Sequence, residues 1–379
     1  MNLEWLAEDV KNTLGHVSKM TIDGKTVLSP HHAMTSKDYE IIDQVNRTNE
    51  LKNSNLVVNG EILGYSTFKG VGVDSKTTDD LFKRLSGKVV KDKPNIVYTR
   101  IPESHTIDGI PIPVNKVSEL QTSGLVGIQI DSGASIIIPP LQTGISSKDV
   151  FKDIYERTKI EIQTSKYAKD VAGYIPTTRQ LGIVTDMVQV YVKDGIRFFI
   201  TDFSGSPMNR ALIRTVVSAI RKALGIKKSI IEQPDKQYYL HVLDIASSKK
   251  TTQAVSPIMD ILTHSYGVDS TSGVLWGGGK LERDKLRYYN MESYGAYRIG
   301  KLPENTKISH DLLNGSTFEV YEKLRADKLI EYRNECNEIS DTMSSNKTDY
   351  GSRLTTKKAA TKDVENAFMD VKEIIANSK

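Results

Sequence analysis

The chain has 379 residues, of which 38% are apolar and 26% charged, with a formal net charge of +4. This composition indicates a soluble globular protein with one large barrel or two domains. No run of 18 apolar residues occurs, which excludes a membrane-spanning helix. The single cysteine, Cys336, excludes an internal disulfide and a multi-cysteine zinc site. The first residues, MNLEWLAEDVKN, are amphipathic and acidic rather than signal-like, so we expect a cytoplasmic protein.

Eight short β-rich runs follow one another through the first 303 residues, and helical patterns separate most of them. In chain order the predicted strands are KTVLSPHHAM, NLVVNGEIL, NIVYTRI, ASIIIPP, DVAGYIP, IRFFITDF, QYYLHVLDI and YGVDSTSG. Because these runs are apolar on both faces, they predict buried parallel strands. Eight such strands predict an α/β fold, a closed TIM-type (β/α)8 barrel, and an open doubly wound sheet is the alternative.

The pattern changes after residue 303. We therefore predict a barrel over residues 1–303 and a helical C-terminal extension over residues 304–379. In the extension, FEVYEKLRADKLIEYRNECNEI predicts a long amphipathic helix and DVENAFMDVKEIIANS a closing helix. The polar stretch SDTMSSNKTDYGSRLTTKKAATK between them predicts a flexible loop. Before the eighth strand, TQAVSPIMDILTHS predicts a further helix.

Aspartates stand where three of the predicted strands run out. Asp202, Asp244 and Asp269 are expected at the ends of strands six, seven and eight, and a (β/α)8 barrel carries its catalytic groups at the carboxyl ends of its strands. A carboxylate there can be a metal ligand, a proton acceptor or a covalent nucleophile. The structural alternative for Asp269 is a cap of the following helix.

Between Phe203 and Ile231 there are six basic residues and no acidic residue. Arg210 and Arg214 lie at helical spacing beside the apolar face of SPMNRALIRTVVSAIRKALG. This pattern favours contact with the phosphates of a polyanion, and a solvated helix face is the alternative.

Two other motifs are weaker. LWGGGKLERDK is not a P-loop, because Val274 stands where the first glycine is needed, and we expect a mobile loop that carries Lys280 to the barrel mouth. His31 and His32 could ligate a metal, but no third ligand has a recognisable spacing. We expect no metal and no other cofactor.

The order of the eight segments resembles the tRNA-guanine transglycosylases, including archaeosine-type enzymes and relatives that put 7-deazaguanine bases into DNA. The similar segments are MTIDGKTVLSPHHAM, IQIDSGASIIIPPLQ, ITDFSGSP, GVDSTSG and YYNMESYGAYRIGKLP, within residues 17–303. In this family an aspartate attacks the ribose C1′ and expels guanine, and a 7-deazaguanine base then captures the glycosyl-enzyme. The resemblance implies that Asp269 is the nucleophile.

The resemblance also implies roles for other residues, with departures from the family pattern. Thr99 stands near the place of the third-strand aspartate that handles protons, and Glu103 is the nearest acid. The base-recognising aspartate after strand four is replaced by Leu141 and Gln142. We expect base contacts from Gln142, from Ser270 and from Asp202, whose carboxylate could accept the paired donors of a guanine edge. The zinc site of the tRNA enzymes cannot form.

Two functions follow as hypotheses. The first is a transglycosylase that exchanges guanine for a 7-deazaguanine co-substrate in nucleic acid, with DNA slightly favoured over tRNA because the zinc subdomain is absent. The second is a catalytically degenerate barrel that binds nucleic acid or a partner enzyme. Phosphate contacts are expected from Arg210, Arg214 and Lys280, and the chain could be a homo- or hetero-oligomer.

Overall fold

The computed structural model describes residues 1–9, 12–47, 56–114, 116–167, 169–227, 229, 231, 233–248, 253–274, 281–304, 306–345 and 349–378. The chain begins with an antiparallel sheet of β1 (Asn2–Glu8), β2 (His16–Ile22) and β3 (Lys25–Leu28). The other strands, in chain order, are β4 (His31–Ala33), β5 (Val57–Ile62), β6 (Asn95–Arg100), β7 (Ser104–Ile107), β8 (Ile110–Pro113), β9 (Ile136–Ile137), β10 (Asp170–Val171), β11 (Gly173–Ile175), β12 (Phe198–Asp202), β13 (Tyr239–Leu243), β14 (Val255–Pro257), β15 (Ser270–Ser272), β16 (Arg287–Asn290) and β17 (Gly295–Arg298).

The α-helices surround these strands. They are α1 (Ser36–Gln44), α2 (Tyr65–Gly70), α3 (Ser75–Ser86), α4 (Glu119–Asp131), α5 (Lys148–Thr164), α6 (Leu181–Lys193), α7 (Arg210–Ala223), α8 (His310–Leu313), α9 (Thr317–Ser345), α10 (Tyr350–Leu354) and α11 (Thr361–Asn377). Within the ranges described, no helix combines the length and the apolarity needed to cross a membrane.

Parallel strands form the centre of the molecule. One sheet has the order β11-β12-β13-β15-β4 and a second has the order β10-β9-β6-β5. A parallel bridge between Met34 and Val57 connects β4 to β5. At the other edges, β10 and β11 follow each other in one segment that pairs with β9 and then with β12. All eight predicted runs therefore contain parallel strands, and the predicted α/β class is confirmed.

The N-terminal sheet is a feature that the sequence analysis did not predict. Trp5 is buried in β1, and its indole Nε1 donates a 3.0 Å hydrogen bond to the carbonyl of Tyr238, just before β13. The Trp5 ring also stacks on His16 of β2 with ring centroids 3.5 Å apart. The sheet consequently packs against the amino ends of the central strands.

Two predicted segments are wrong. TQAVSPIMDILTHS was expected to be helical, but it contains β14 and the start of a 3-10 helix at Ile261–Tyr266. The Ile261 N–H donates a hydrogen bond to the Asp260 carboxylate at the beginning of this 3-10 helix. The stretch expected to be a flexible loop after α9 contains α10, and Tyr350 and Leu354 are buried there. Buried apolar side chains anchor this stretch because they remove apolar surface from water.

The C-terminal helices share the hydrophobic core of the preceding residues. Leu329 and Ile330 of α9 pack with Met34, Ile41 and Ile42 around β4 and α1. Further along α9, Tyr332, Cys336 and Ile339 join the main core. The boundary at residue 303 stays a prediction about sequence organisation, because the two segments are packed together.

The basic strip of α7 faces α11. Arg210 donates from Nε and Nη2 to the buried Asp370 carboxylate at 2.8 and 2.9 Å, and Tyr266 donates to the same carboxylate at 2.7 Å. Arg214 lies 2.6 Å from the Glu373 carboxylate. The guanidinium groups of Arg210 and Arg214 thus pair with acidic side chains of the C-terminal helix, and their contact with phosphates stays a prediction.

This pairing predicts unequal stability effects. Arg210→Ala leaves the buried Asp370 without its bidentate partner, so we expect a loss of about 2–3 kcal/mol of unfolding free energy. Arg214→Ala breaks an exposed pair, and we expect a loss of about 0–1 kcal/mol. Urea denaturation followed by circular dichroism measures both. Equal small losses would show that Asp370 does not need Arg210.

Candidate functional site

Asp269 lies at the amino end of its strand, and the prediction that it ends the eighth strand is wrong. β15 begins at Ser270 and ends at Ser272. The 3-10 helix before it ends at Gly267, which has a positive φ of 84°, and a Cβ there would lie 2.9 Å from the carbonyl oxygen of Leu14. A glycine fits this close approach and left-handed backbone. Asp269 therefore lies directly before the first residue of β15, at the amino end of the strand.

The Asp269 carboxylate is fully buried and bonded on both oxygens. Oδ1 accepts from His16 Nε2 at 2.8 Å and from Ser18 Oγ at 2.5 Å. Oδ2 accepts from the backbone N–H of Leu240 at 2.8 Å. A covalent nucleophile must reach the sugar, and this side chain is covered by the N-terminal sheet. These contacts join the Asp269 carboxylate to the N-terminal sheet and to β13 at the amino ends of the strands.

The carboxyl ends of the strands carry a different set of polar groups. Arg100 at the end of β6 bonds through Nη1 to the Asp244 carboxylate just beyond β13. Asp244 is fully buried, and the Arg100 side chain is only 11% exposed. Arg100 is the last residue of β6 and Asp244 directly follows β13, and these strands belong to different parallel sheets, so the ion pair joins the sheets at this end. Ser272 Oγ accepts from the Asp244 N–H at 3.3 Å.

Asp202 ends β12, at the position expected from the sequence. Its Oδ2 accepts from Tyr174 Oη at 3.0 Å, and its Oδ1 accepts from the Ser204 N–H at 2.6 Å. Burial raises the pKa of Asp202 above its usual value. The contact with Ser204, which has a positive φ of 50°, stabilises the turn that follows the strand. The Asp202 carboxylate thus already accepts hydrogen bonds from within the protein.

Glu103 and Gln142 lie near each other beyond the third and fourth predicted strands. A parallel bridge pairs Ile101 with Gln142, and the Glu103 side chain covers Gly144 so closely that a Cβ there would lie 2.7 Å from Glu103 Cδ. Glu103 is exposed. The Gln142 Oε1 atom is buried and has no hydrogen-bond donor among the described residues. The fold brings these two predicted site residues together.

Ser270 lies deeper in the fold than a base contact at the carboxyl ends would require. It is the first residue of β15, it is fully buried, and its Oγ lies 2.7 Å from His241 Nδ1. Lys280 and the triple glycine before it lie outside the described residues. The structure therefore brings Asp202, Glu103 and Gln142 to the carboxyl ends and separates Asp269 and Ser270 from them.

The two consecutive histidines point to opposite sides of β4. His31 Nδ1 lies 3.0 Å from the Leu28 carbonyl and its ring is 6.5 Å from Tyr239, whereas His32 Nδ1 lies 3.0 Å from Thr271 Oγ1. Neighbouring side chains of a strand alternate in this way, so the pair cannot share one ion. Among the described residues, no group of three or more His, Cys, Asp or Glu side chains could hold a metal ion.

A basic groove opens beside the carboxyl ends of β4 and β15. We use this name for two adjoining clefts, of about 340 and 840 Å³, that share Thr35, Val274, Tyr321 and Arg325. Its basic lining residues are Lys37, Arg84, Lys88, Lys285, Arg287, Arg325 and Lys328, and its acidic lining residues are Asp38 and Glu61. The groove was not predicted from the sequence because these residues are far apart along the chain and no continuous motif contains them.

The cations of the groove are held in different ways. Arg325 donates to Asp38 at 2.7 Å, and Arg84 pairs with Glu61 at 2.8 Å. Lys328 instead lies 4.9 Å from each of the Tyr289 and Tyr332 ring centroids and donates to a serine hydroxyl, without a carboxylate in ion-pair distance in the described part of the chain. Such rings attract a cation without neutralising it.

No family model matches the chain, and no curated protein matches it. Among solved structures, the carboxyl transferase domain of pyruvate carboxylase from Rhizobium etli, with pyruvate, is similar with a TM-score of 0.38 and 12% sequence identity. The match covers 91% of this chain and 59% of that chain, so this chain spans less than two thirds of its length.

The geometry of Asp269 predicts a loss of stability on substitution. Asp269→Asn removes the charge and turns an amide N–H₂ toward donor groups, so we expect a loss of about 2–4 kcal/mol of unfolding free energy. Urea denaturation measures this loss. Asp131→Asn, at an exposed residue at the end of α4, is the matched control and should change stability little. A stable Asp269→Asn protein would contradict the structural role.

The buried histidines predict an acid-sensitive fold. Burial lowers the pKa of His31 to about 4 and those of His32 and His241 to about 3. The unfolded chain binds these protons below a pKa of about 6.5 and the folded chain does not, so stability is complete above this pH and falls as the pH drops below it. We expect a loss of about 1.4 kcal/mol per pH unit for each histidine.

Urea titrations at neutral and mildly acidic pH test this dependence. His32→Gln should reduce the slope by about one proton, whereas His310→Gln, at an exposed residue, should leave it unchanged. Unfolding free energies that do not change between these pH values would contradict the prediction.

Proposed function

We propose that this chain is a nucleic-acid-binding (β/α)8 barrel, similar to the transglycosylases in architecture, in which Asp269 supports the fold instead of catalysing base exchange. Support for a closed barrel comes from strand pairing. The order β4-β5-β6-β9 continues through the segment of β10 and β11 to β12-β13-β15 and back to β4, when the Met34–Val57 bridge is counted. Such a barrel places its binding groups at the carboxyl ends of the strands.

The observation that carries the proposal is the charge of the basic groove. Among the residues that the structure describes, seven lysines and arginines line it against two carboxylates, and it opens at the carboxyl ends of β4 and β15. Concave surfaces of one sign concentrate ligands of opposite charge. Nucleic acid is the macromolecule that presents regularly spaced phosphates to such a surface, and phosphate contacts dominate its binding.

Burial of Asp269 is the reason to prefer binding over exchange. The exchange reaction needs a carboxylate that attacks the sugar and later releases it. Asp269 is fully buried against His16, Ser18 and the Leu240 N–H, at the opposite end of β15 from the groove. At the groove end, β15 finishes in Ser272, which does not ionise as a carboxylate does.

Guanine exchange is the second candidate function. It is favoured by the resemblance of the segments and by two carboxylates, Asp202 and Asp244, at the carboxyl ends of neighbouring strands. In this candidate a carboxylate other than Asp269 forms the bond to C1′, and a 7-deazaguanine base is the co-substrate. Asp202 would have to exchange its contact with Tyr174 or Ser204 for the guanine edge.

One pair of measurements separates the candidates. Fluorescence anisotropy with DNA and with tRNA, over a series of salt concentrations, measures binding, and release of labelled guanine in the presence of a 7-deazaguanine base measures exchange. We expect affinity that falls with salt and no release from either nucleic acid. Guanine release by the wild-type chain would establish the second candidate, and the absence of binding to both would overturn the proposal.

A double variant connects binding to the groove. Lys88→Gln with Lys285→Gln should weaken binding and lower the logarithmic salt slope by up to about 0.9 for each lost contact to duplex phosphate. The matched control is Lys358→Gln with Lys362→Gln, which removes the same charge from exposed residues at and near α11. Equal losses in both double variants would mean that binding follows net charge and not the groove.

A further inference from the structure

The basic groove also carries aromatic rings among its cations. Phe318, at the start of α9, is 52% exposed, although it is a large apolar side chain. Its ring centroid lies 6.4 Å from that of Tyr321, and both residues line the larger cleft. Tyr289 lines the smaller cleft beside Lys328. An exposed ring in a cationic groove is typical of surfaces on which nucleic-acid bases stack.

We infer that the groove binds single-stranded nucleic acid, with a phosphate at Lys328 and Arg287 and an unpaired base on Phe318. The inference rests on the proposed function and specifies its ligand. Bases in a duplex are stacked on one another and offer no free face to a side chain. A single strand offers both a base face and a phosphate within a few atoms of each other. These two groups match the exposed Phe318 ring and the cations of the groove.

The dimensions of the groove agree with this ligand. The two clefts measure about 340 and 840 Å³, within the range of pockets that enclose individual small ligands. Tyr321 and Arg325 line both clefts and lie between them. Arg325 is held by Asp38 and by a 2.7 Å hydrogen bond to Tyr321 Oη, so the Arg325 and Tyr321 side chains are fixed between the two clefts. One cleft can therefore take a phosphate and the other the neighbouring base.

The smaller cleft is arranged for an anion. Lys328 is held between the Tyr289 and Tyr332 rings, and Arg287 is directed by a 2.7 Å hydrogen bond from Nη1 to Ser256 Oγ. His32 lines the same cleft. A phosphate that enters meets two cations whose side chains are already ordered, so little conformational entropy is lost on binding.

The test compares strands of one sequence in four forms: single-stranded DNA, single-stranded RNA and the two corresponding duplexes. Fluorescence anisotropy with the full-length chain gives the affinities and salt slopes. We expect both single strands to bind at least about tenfold more tightly than the duplexes, because only they stack on a ring. The DNA and RNA arms show which backbone is preferred.

Three variants assign the contacts. Phe318→Ala should weaken single-strand binding by about tenfold and leave duplex binding unchanged, and Phe318→Tyr should restore it because a tyrosine ring also stacks. Lys328→Gln should lower the single-strand salt slope by about 0.7, whereas Lys362→Gln on α11 should not change it. Circular dichroism melting shows that each variant is folded.

The measurements can overturn the single-strand ligand and the proposed function independently. Duplex affinity equal to or greater than single-strand affinity, with a slope that still depends on Lys328, overturns the single-strand inference and leaves nucleic-acid binding in place. Loss of binding to all four forms overturns the proposed function itself. An unchanged single-strand affinity in Phe318→Ala removes the base site even if the phosphate site is kept.

Discussion

The structure depends on one buried carboxylate. Asp269 accepts hydrogen bonds from His16 and Ser18 of the N-terminal sheet and from the backbone of Leu240 in β13, while its own backbone pairs with Leu240 and His31. A buried charge is tolerated only when such partners satisfy it. Four separate segments of the chain therefore have to meet at this one group for any of them to be stable there.

That constraint determines which end of the parallel strands is covered. The N-terminal sheet covers the amino ends of the parallel strands, and Trp5 reinforces the contact through its stacking on His16 and its bond to the Tyr238 carbonyl. The opposite end keeps Arg100, Asp202 and Asp244. An aspartate next to a strand is thus informative about function only once it is known which end of the strand it occupies.

The sequence predicted the eight parallel strands because their apolar runs are buried on both faces, as in IRFFITDF and QYYLHVLDI. It placed Asp269 at the wrong end because YGVDSTSG is longer than its strand, which has only the residues Ser270–Ser272. β1 was not predicted because Trp5 is its only buried residue, so the alternation of apolar and polar residues along this strand is weak. The residue pattern alone does not locate the first and last residues of a strand within a longer predicted segment.

Charge was harder to interpret from the sequence than hydrophobicity. The segment from Phe203 to Ile231 has no acidic residue. Arg210 and Arg214 nevertheless form ion pairs with Asp370 and Glu373, which lie far along the chain. A local excess of charge therefore says little until the partners from distant segments are known. The basic groove shows the converse, since its cations are far apart in sequence and meet only in the fold.

The ion pair between Arg100 and Asp244 lies at the carboxyl ends of the central strands, and neither residue lines the groove. These side chains connect the two parallel sheets at their carboxyl ends, and both Asp202 and Asp244 are fully buried there. Charged groups that already satisfy one another gain little from a ligand that must first separate them. Lys328, held by rings instead of a carboxylate, keeps its charge available to a ligand. The proposed binding beside β4 and β15 therefore depends on Lys328 more than on Arg325 and Arg84, which pair with Asp38 and Glu61.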